Sequence, residues 1–433
     1  MRSAFASAAR EIGAAPSAPF GERVRRQVQA LFDRRRHLLV DVADEPAHRV
    51  SGGIGRAVRE LTRHLTLSAG ADLCVRPVRS KGTGFRSAED LSVVLFGGAP
   101  SSQAPERVRV RRGDRVLLLG LDRSAFSPAV PDLVARIRRV RARGGEVFAM
   151  VHDLHPIDQP ESYRFPAGTP AFFAAWLAAI CTECDGILCS SRTMTGRLAS
   201  WLAEHPIPRT RSLPIGFFHL GTDGTRTLPE PCSAEETATI DRLLSLGPSV
   251  LIVAQLYLLK GYEQVLAAFE RLWGGGADLR LVVVGDTGAP ESELKARLAG
   301  HTERDRRLFW FAHLSGEALL RLYRECSVLL GASLAEGFGL PVLEAAREGL
   351  PLILRDLPIY RETAGSAAIY FSGESVEDLV AVLEEWQARR ARGEELAPTT
   401  ALSVTWAQSA ARLLKLIDGR DWSHRWLPEG RVA

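Results

Sequence analysis

Two doubly wound α/β domains are the fold this sequence predicts, on three observations. Short apolar runs of strand length alternate with longer segments of helical periodicity along most of the chain. The runs fall into two sets of five, separated by HLGTDGTRTLPEPCSAEET, a stretch rich in Gly, Thr and Pro that reads as a linker. The 433 residues, 46% hydrophobic and 24% charged, suit two globular cores better than one.

The first set of strands is HLLVDVA, LCVRPV, RVLLLGL, EVFAMVHD and DGILCSS, and the second is SVLIVAQ, LRLVVVGD, RLFWFAH, CSVLLGAS and LPLILRD. The expected organisation is a first domain over 1–218, a linker over 219–247 and a second domain over 248–433, whose last helix packs back on the first. Ligands of such sheets bind outside the carboxyl ends of the strands, so a cleft between the domains is the expected site. Residues 1–36 form a basic extension, with Arg2, Arg10, Arg23, Arg25, Arg26, Arg34, Arg35 and Arg36 against Glu11, Glu22 and Asp33. A solvated helix is the plain reading of that extension, and contact with acidic lipid head groups is the functional one.

Composition excludes several function classes. The net charge is only +4 and the basic residues are scattered, so no nucleic-acid partner is expected. No apolar run of about 18 residues and no secretory leader pattern is present, which predicts a cytoplasmic protein, at most peripheral to a membrane. Cys74, Cys181, Cys184, Cys189, Cys232 and Cys326 mostly lie in apolar segments, as reduced core thiols do. Cys181 and Cys184 make a C-x-x-C, but no second pair or suitably spaced histidines follow, so neither a metal site nor a redox site is expected.

The stretch LAEGFGLPVLEAAREG, residues 334–349, carries the chemistry. CSVLLGAS reads as a buried strand and PVLEAARE as the helix after it, with Pro341 preset for the first turn and Gly349 suited to ending it. Gly337 and Gly339 let the backbone approach a ligand, and the free amides of the helix start favour an anion, particularly a diphosphate. That places Glu336 in the loop and Glu344 in the first helical turns. Carboxylates accept from hydroxyls, so a ribose and a sugar are their natural partners. The helix macrodipole alone explains a lone Glu344; the pair flanking a Gly-Phe-Gly turn points to a site.

The stretch AEGFGLPVLEA resembles the E-x7-E signature of the retaining glycosyltransferases of family 4, which have the two-domain GT-B fold. The resemblance extends through GGIGRAVREL, VHDLHPI, ILCSSRTMTGRL, HLGTD, KGYEQVLAAFERL and LRDLPIYRETAGSAAIYF, and is closest to bacterial members that build O-antigen and other surface polysaccharides. It implies that Glu336 contacts the donor sugar and Glu344 the nucleotide ribose, with Gly337, Phe338, Gly339 and Leu340 around the donor. It further implies that His152 is catalytic, near the donor sugar, its imidazole or a nearby backbone carbonyl stabilising the transition state, and that the glycine loop at Gly52, Gly53 and Gly55 faces the donor phosphates and the acceptor. Lys260, before a helix, suits the leaving diphosphate. The chain departs from the family at Leu259, where an arginine is usual, and at Tyr257, where a glutamate is common. One cation in place of two weakens a diphosphate site, so another arginine substitutes or the donor is held differently.

Other residues have plainer explanations. Asp153 suits a cap for the turn after VHD, and Asp122 and Ser191, at strand ends facing the cleft, suit helix caps. A dinucleotide-binding dehydrogenase needs G-x-G-x-x-G tight against its first strand, whereas about ten residues intervene here. No G-x-S-x-G elbow is present. The resemblance therefore implies a metal-independent, cofactor-free hexosyltransferase. By the same resemblance it is expected to move a sugar, mannose from GDP-mannose as first choice, from a nucleotide-sugar donor to a glycan or lipid-linked acceptor. A non-catalytic nucleotide-sugar-binding scaffold and a phosphorylase or epimerase on the same fold are the alternatives.

Overall fold

The computed structural model describes residues 35–43, 52–70, 72–96, 104–121, 123–163, 168–223, 231–286, 293–394, 401–419 and 421–427. All but the end of the basic extension lies outside them. Eight strands come first: β1 (Arg36–Asp41), β2 (Leu73–Lys81), β3 (Gly84–Ser87), β4 (Arg107–Val108), β5 (Arg115–Leu118), β6 (Glu146–Val151), β7 (Gly186–Cys189) and β8 (Leu213–Phe217). Six follow: β9 (Ser249–Val253), β10 (Arg280–Val284), β11 (Leu308–Phe311), β12 (Val328–Gly331), β13 (Leu352–Arg355) and β14 (Ala368–Phe371). A last strand, β15 (His424–Trp426), closes the described chain.

These strands make two sheets. The first has the order β15-β8-β7-β6-β5-β1-β2-β3-β4, parallel from β8 to β2 and antiparallel at both margins. The second has the order β11-β10-β9-β12-β13-β14 and is parallel throughout. Central strands carry unbroken apolar runs because helices cover both faces: Val40 sits between Pro77 and Leu117, and Leu251 between Val282 and Leu329. The strand order reverses between β5 and β1 in one sheet and between β9 and β12 in the other, and crevices open at such points. The loops after β9 and β12 are the ones that carry Lys260 and Glu336.

One buried apolar cluster runs from Leu38, Val40 and Leu117 of the first sheet through Leu251, Val282 and Leu329 of the second. Separate clusters fill the far face of each sheet. The chain crosses back at its end: helix Trp406–Ile417 joins the shared cluster, and β15 pairs with β8. Trp406 is fully buried, and a β-carbon at Gly221 would collide with its backbone. Burying a tryptophan removes roughly 200 Å² from water, worth about 5 kcal/mol before entropy.

Five strands escaped the sequence reading. β3, β4 and β15 are short and charged, β8 is broken by Pro214 and Gly216, and β14 follows a loop that hides its boundary. The stretch expected as linker contains a helix, Ala234–Ser245, started by a reciprocal cap between Ser233 and Glu236. Its Ser-x-x-Glu spacing was the available signal.

Candidate functional site

After β12 the chain turns through 332–339 into helix Leu340–Arg347, and Glu336 stands in that loop. Gly339 starts the helix at φ 84°, a conformation that strains any residue with a β-carbon, and Pro341 lies in the first turn. Lys260 closes a short turn after β9, followed by Gly261 at φ 74°. The two loops are tied by Leu334 N–H donating to the Leu259 carbonyl at 2.8 Å. Buried Arg355 donates to the carbonyls of Ala332 and Ser333 at 3.1 and 3.0 Å and fixes the same loop from below.

Within this frame the Lys260 ammonium donates to Glu336 Oε2 at 2.6 Å, and Ser333 Oγ donates to the same oxygen at 3.3 Å. Burial pushes the Glu336 carboxyl up, but the charge and hydrogen bond of Lys260 outweigh it and hold the group below the usual carboxylate range. Glu336 is therefore an anion at neutral pH.

Glu344, in the second turn of the helix, is placed differently. It is 3% exposed, accepts from Tyr323 Oη at 2.9 Å and is ion-paired with the Arg56 guanidinium. Burial pushes its carboxyl up, opposed by Arg56 and by the Tyr323 hydroxyl. Arg56 belongs to helix Gly52–Leu67, which starts beyond β1 of the opposite sheet. A β-carbon at Gly52 would lie 3.2 Å from the Gln255 side chain, and one at Gly53 would lie 3.9 Å from Leu340 Cδ1. The starts of two helices, one from each sheet, thus meet beside the loops of Lys260 and Glu336, and unpaired backbone N–H groups at helix starts favour anions.

His152 follows β6 and is buried, its Nε2–H donating to the Leu119 carbonyl at 2.8 Å. Burial pushes the imidazole below its ordinary pKa, against that hydrogen bond, so the ring is neutral. The main chain of His152 is what meets the glutamate loop: a β-carbon at Gly337 would sit 2.7 Å from its carbonyl oxygen. Ser190 Oγ lies within hydrogen-bonding reach of the same oxygen at 3.4 Å and of the Gly337 carbonyl at 3.3 Å. Phe338 and Leu340 are buried beside them.

Glu362 makes a further bridge between the halves. Its carboxylate accepts from the backbone N–H groups of Arg192 and Thr193 at 2.8 Å, from Thr193 Oγ1 at 2.6 Å and from His219 Nε2 at 2.7 Å. Burial raises this carboxyl, but those donors hold it down at about 2.

Several sequence candidates take plain roles. Ser191 Oγ accepts from Met194 N–H and caps helix Arg192–Glu204, and Asp153 accepts from His155 N–H at 3.2 Å in the turn after β6. Asp122 lies outside the described residues. Cys181 and Cys184 are free and buried, and burial pushes both thiols up. The sequence reading missed Arg56, Tyr323 and Glu362. Arg56 had a signal, since three residues after Gly53 puts it on the same helical face. The other two meet the site through long-range packing, which leaves no local pattern.

Comparison with known proteins places this arrangement in a class. A sucrose-phosphate synthase of Thermosynechococcus elongatus superimposes with TM-score 0.59 at 17% identity, covering 89% of this chain and 99% of that one. HepE of Anabaena, solved in complex with UDP-glucose, gives TM-score 0.56 at 14% identity over 88% and 94%. The fold is thus GT-B, that of two-sheet glycosyltransferases. Residues 245–398 match the family model for glycosyl transferases group 1. The serotype-specific mannosyltransferase WbdA of Escherichia coli is 32% identical over 383 residues, 88% of this chain and 45% of that protein. The chain therefore spans about half the length of the curated relatives it matches. Residues 245–398 thus carry the glycosyl transferases group 1 match, and the chain as a whole is similar to a serotype-specific mannosyltransferase.

Proposed function

We propose that this chain is a retaining glycosyltransferase that moves a hexose from a nucleoside diphosphate sugar to a glycan or lipid-linked acceptor in surface-polysaccharide assembly. Mannose from GDP-mannose is the first choice, in line with the similarity to WbdA. The observation that carries the reading is the Lys260–Glu336 contact at 2.6 Å, beside two converging helix starts. A diphosphate held by the cation and the helix amides has its sugar within reach of the carboxylate. As the glycosidic bond breaks, negative charge grows on the diphosphate and positive charge on the sugar ring. Lys260 stabilises the first and Glu336 the second, both already oriented before reaction.

Gly337, Gly339 and Gly53 supply close backbone approach in this reading, and Glu344 takes the ribose hydroxyls. His152 acts near the donor sugar through its main chain, which supports the Glu336 loop. No described helix is long and apolar enough to cross a membrane. A lipid-linked acceptor would be met at the membrane surface.

The test is thermal unfolding with GDP, UDP, ADP and dTDP in turn, comparing wild type with Glu344→Ala. A ligand at about 100 times its Kd adds roughly 2.7 kcal/mol of stability, a readily measured shift. One nucleotide is expected to raise the midpoint of wild type and to lose that effect in the variant. A midpoint unmoved by all four defeats the nucleotide-sugar reading.

A further inference from the structure

A diphosphate donor carries about two negative charges, and the loops around Glu336 offer it Lys260, itself in contact with Glu336. Leu259 is fully buried and supplies nothing. Arg355 is equally out of reach, since it is 5% exposed and its guanidinium is taken up by backbone carbonyls and Gln264. Glu344 poses the complementary problem. The carboxylate assigned to the ribose is 3% exposed, with Tyr323 on one oxygen and Arg56 on the other.

We propose that Arg56 is a donor-binding residue that exchanges partners: the ribose hydroxyls replace it on Glu344, and its freed guanidinium takes the diphosphate. This rests on the nucleotide-sugar reading above and completes it. The exchange leaves neither group without hydrogen-bond partners, because the carboxylate gains hydroxyl donors while the guanidinium gains phosphate oxygens. A guanidinium suits that second role, since its planar fork can meet two phosphate oxygens at once.

Position supports the exchange. Arg56 stands three residues after Gly53, on the same helical face, and Gly53 lies against Leu340, the first residue of the glutamate helix. The Arg56 side chain is 19% exposed, whereas that of Glu344 is 3% exposed, so the cation is the more accessible partner of the pair. It also comes from the opposite sheet, so a donor bound this way is gripped from both sides. A purely structural ion pair between the halves would have no reason to respond to the number of phosphates on a ligand.

The experiment is titration calorimetry of wild type, Arg56→Gln and Arg56→Lys with GDP, UDP, ADP and dTDP, then with the unphosphorylated nucleoside of the best binder. Arg56→Gln is expected to weaken the diphosphate at least tenfold and to bind the nucleoside as well as wild type or better, because Glu344 is no longer occupied. Arg56→Lys keeps a cation without the fork and should fall between them; it guards against misfolding of the glutamine variant. Equal diphosphate affinity in wild type and Arg56→Gln overturns the exchange. So does a loss of the same factor for diphosphate and nucleoside in both variants, which would mark Arg56 as a structural clamp. If wild type binds none of the four diphosphates, the donor reading itself has failed and the exchange falls with it.

Discussion

Glu336 and Glu344 lie eight positions apart on one loop and helix, yet their surroundings oppose one another. Glu336 is held by a lysine of its own half and is pushed toward the anion. Glu344 is held by an arginine of the other half, and burial pushes its carboxyl upward. The first carboxylate is therefore prepared by local loops, whereas the state of the second depends on how the halves meet. A pair divided this way has one carboxylate set by its own loops and one that responds to any change in the contact between the sheets.

Changes that break or sharpen this contrast differ in size. Glu336→Gln keeps the shape but removes the charge and leaves Lys260 without an anionic partner. Turnover is expected to fall about a hundredfold or more, roughly 2.7 kcal/mol of barrier, in a donor-consumption assay. Unchanged turnover would remove Glu336 from the chemistry. Gly337→Ala puts a methyl group against the His152 carbonyl. It should lower stability by about 2 kcal/mol in denaturant unfolding and lower activity with it; an unaffected protein would show that the halves stand apart in solution. Lys260→Ala should reduce turnover at least tenfold, about 1.4 kcal/mol.

The smallest effect concerns Glu362. Its carboxyl is depressed from 4.5 to about 2 in the folded chain, so its contribution is fully present above pH 4.5 and is lost as pH falls toward 2. Glu362→Gln should cost about 1 kcal/mol at neutral pH and flatten the acid limb of the stability curve between those values. An identical acid limb in both proteins would mean the bridge to Thr193 and His219 is not kept in solution.

How legible all this was in the sequence depended on range. The central parallel strands were readable because strands buried on both faces are continuous apolar runs. So was the Gly-Phe-Gly turn with its proline, because helix starts follow local rules. Edge strands such as β4, only Arg107–Val108, carry too few residues for any period to show. The roles of Ser191 and Asp153 as caps were visible as alternatives and are the ones the structure gives them. The partners of Glu344 and Glu362 come from residues far away along the chain, and no local pattern anticipates them.

The return of the chain to β8 through Trp406–Ile417 and β15 makes the first sheet discontinuous in sequence and the second continuous. The six-stranded unit is in effect a cassette spliced into a scaffold that is finished only after it. The loops of Lys260 and Glu336 and the helix of Glu344 then lie in one uninterrupted stretch of chain, with both splice points on the scaffold side. Changes to the scaffold must instead preserve two separate stretches of chain at once.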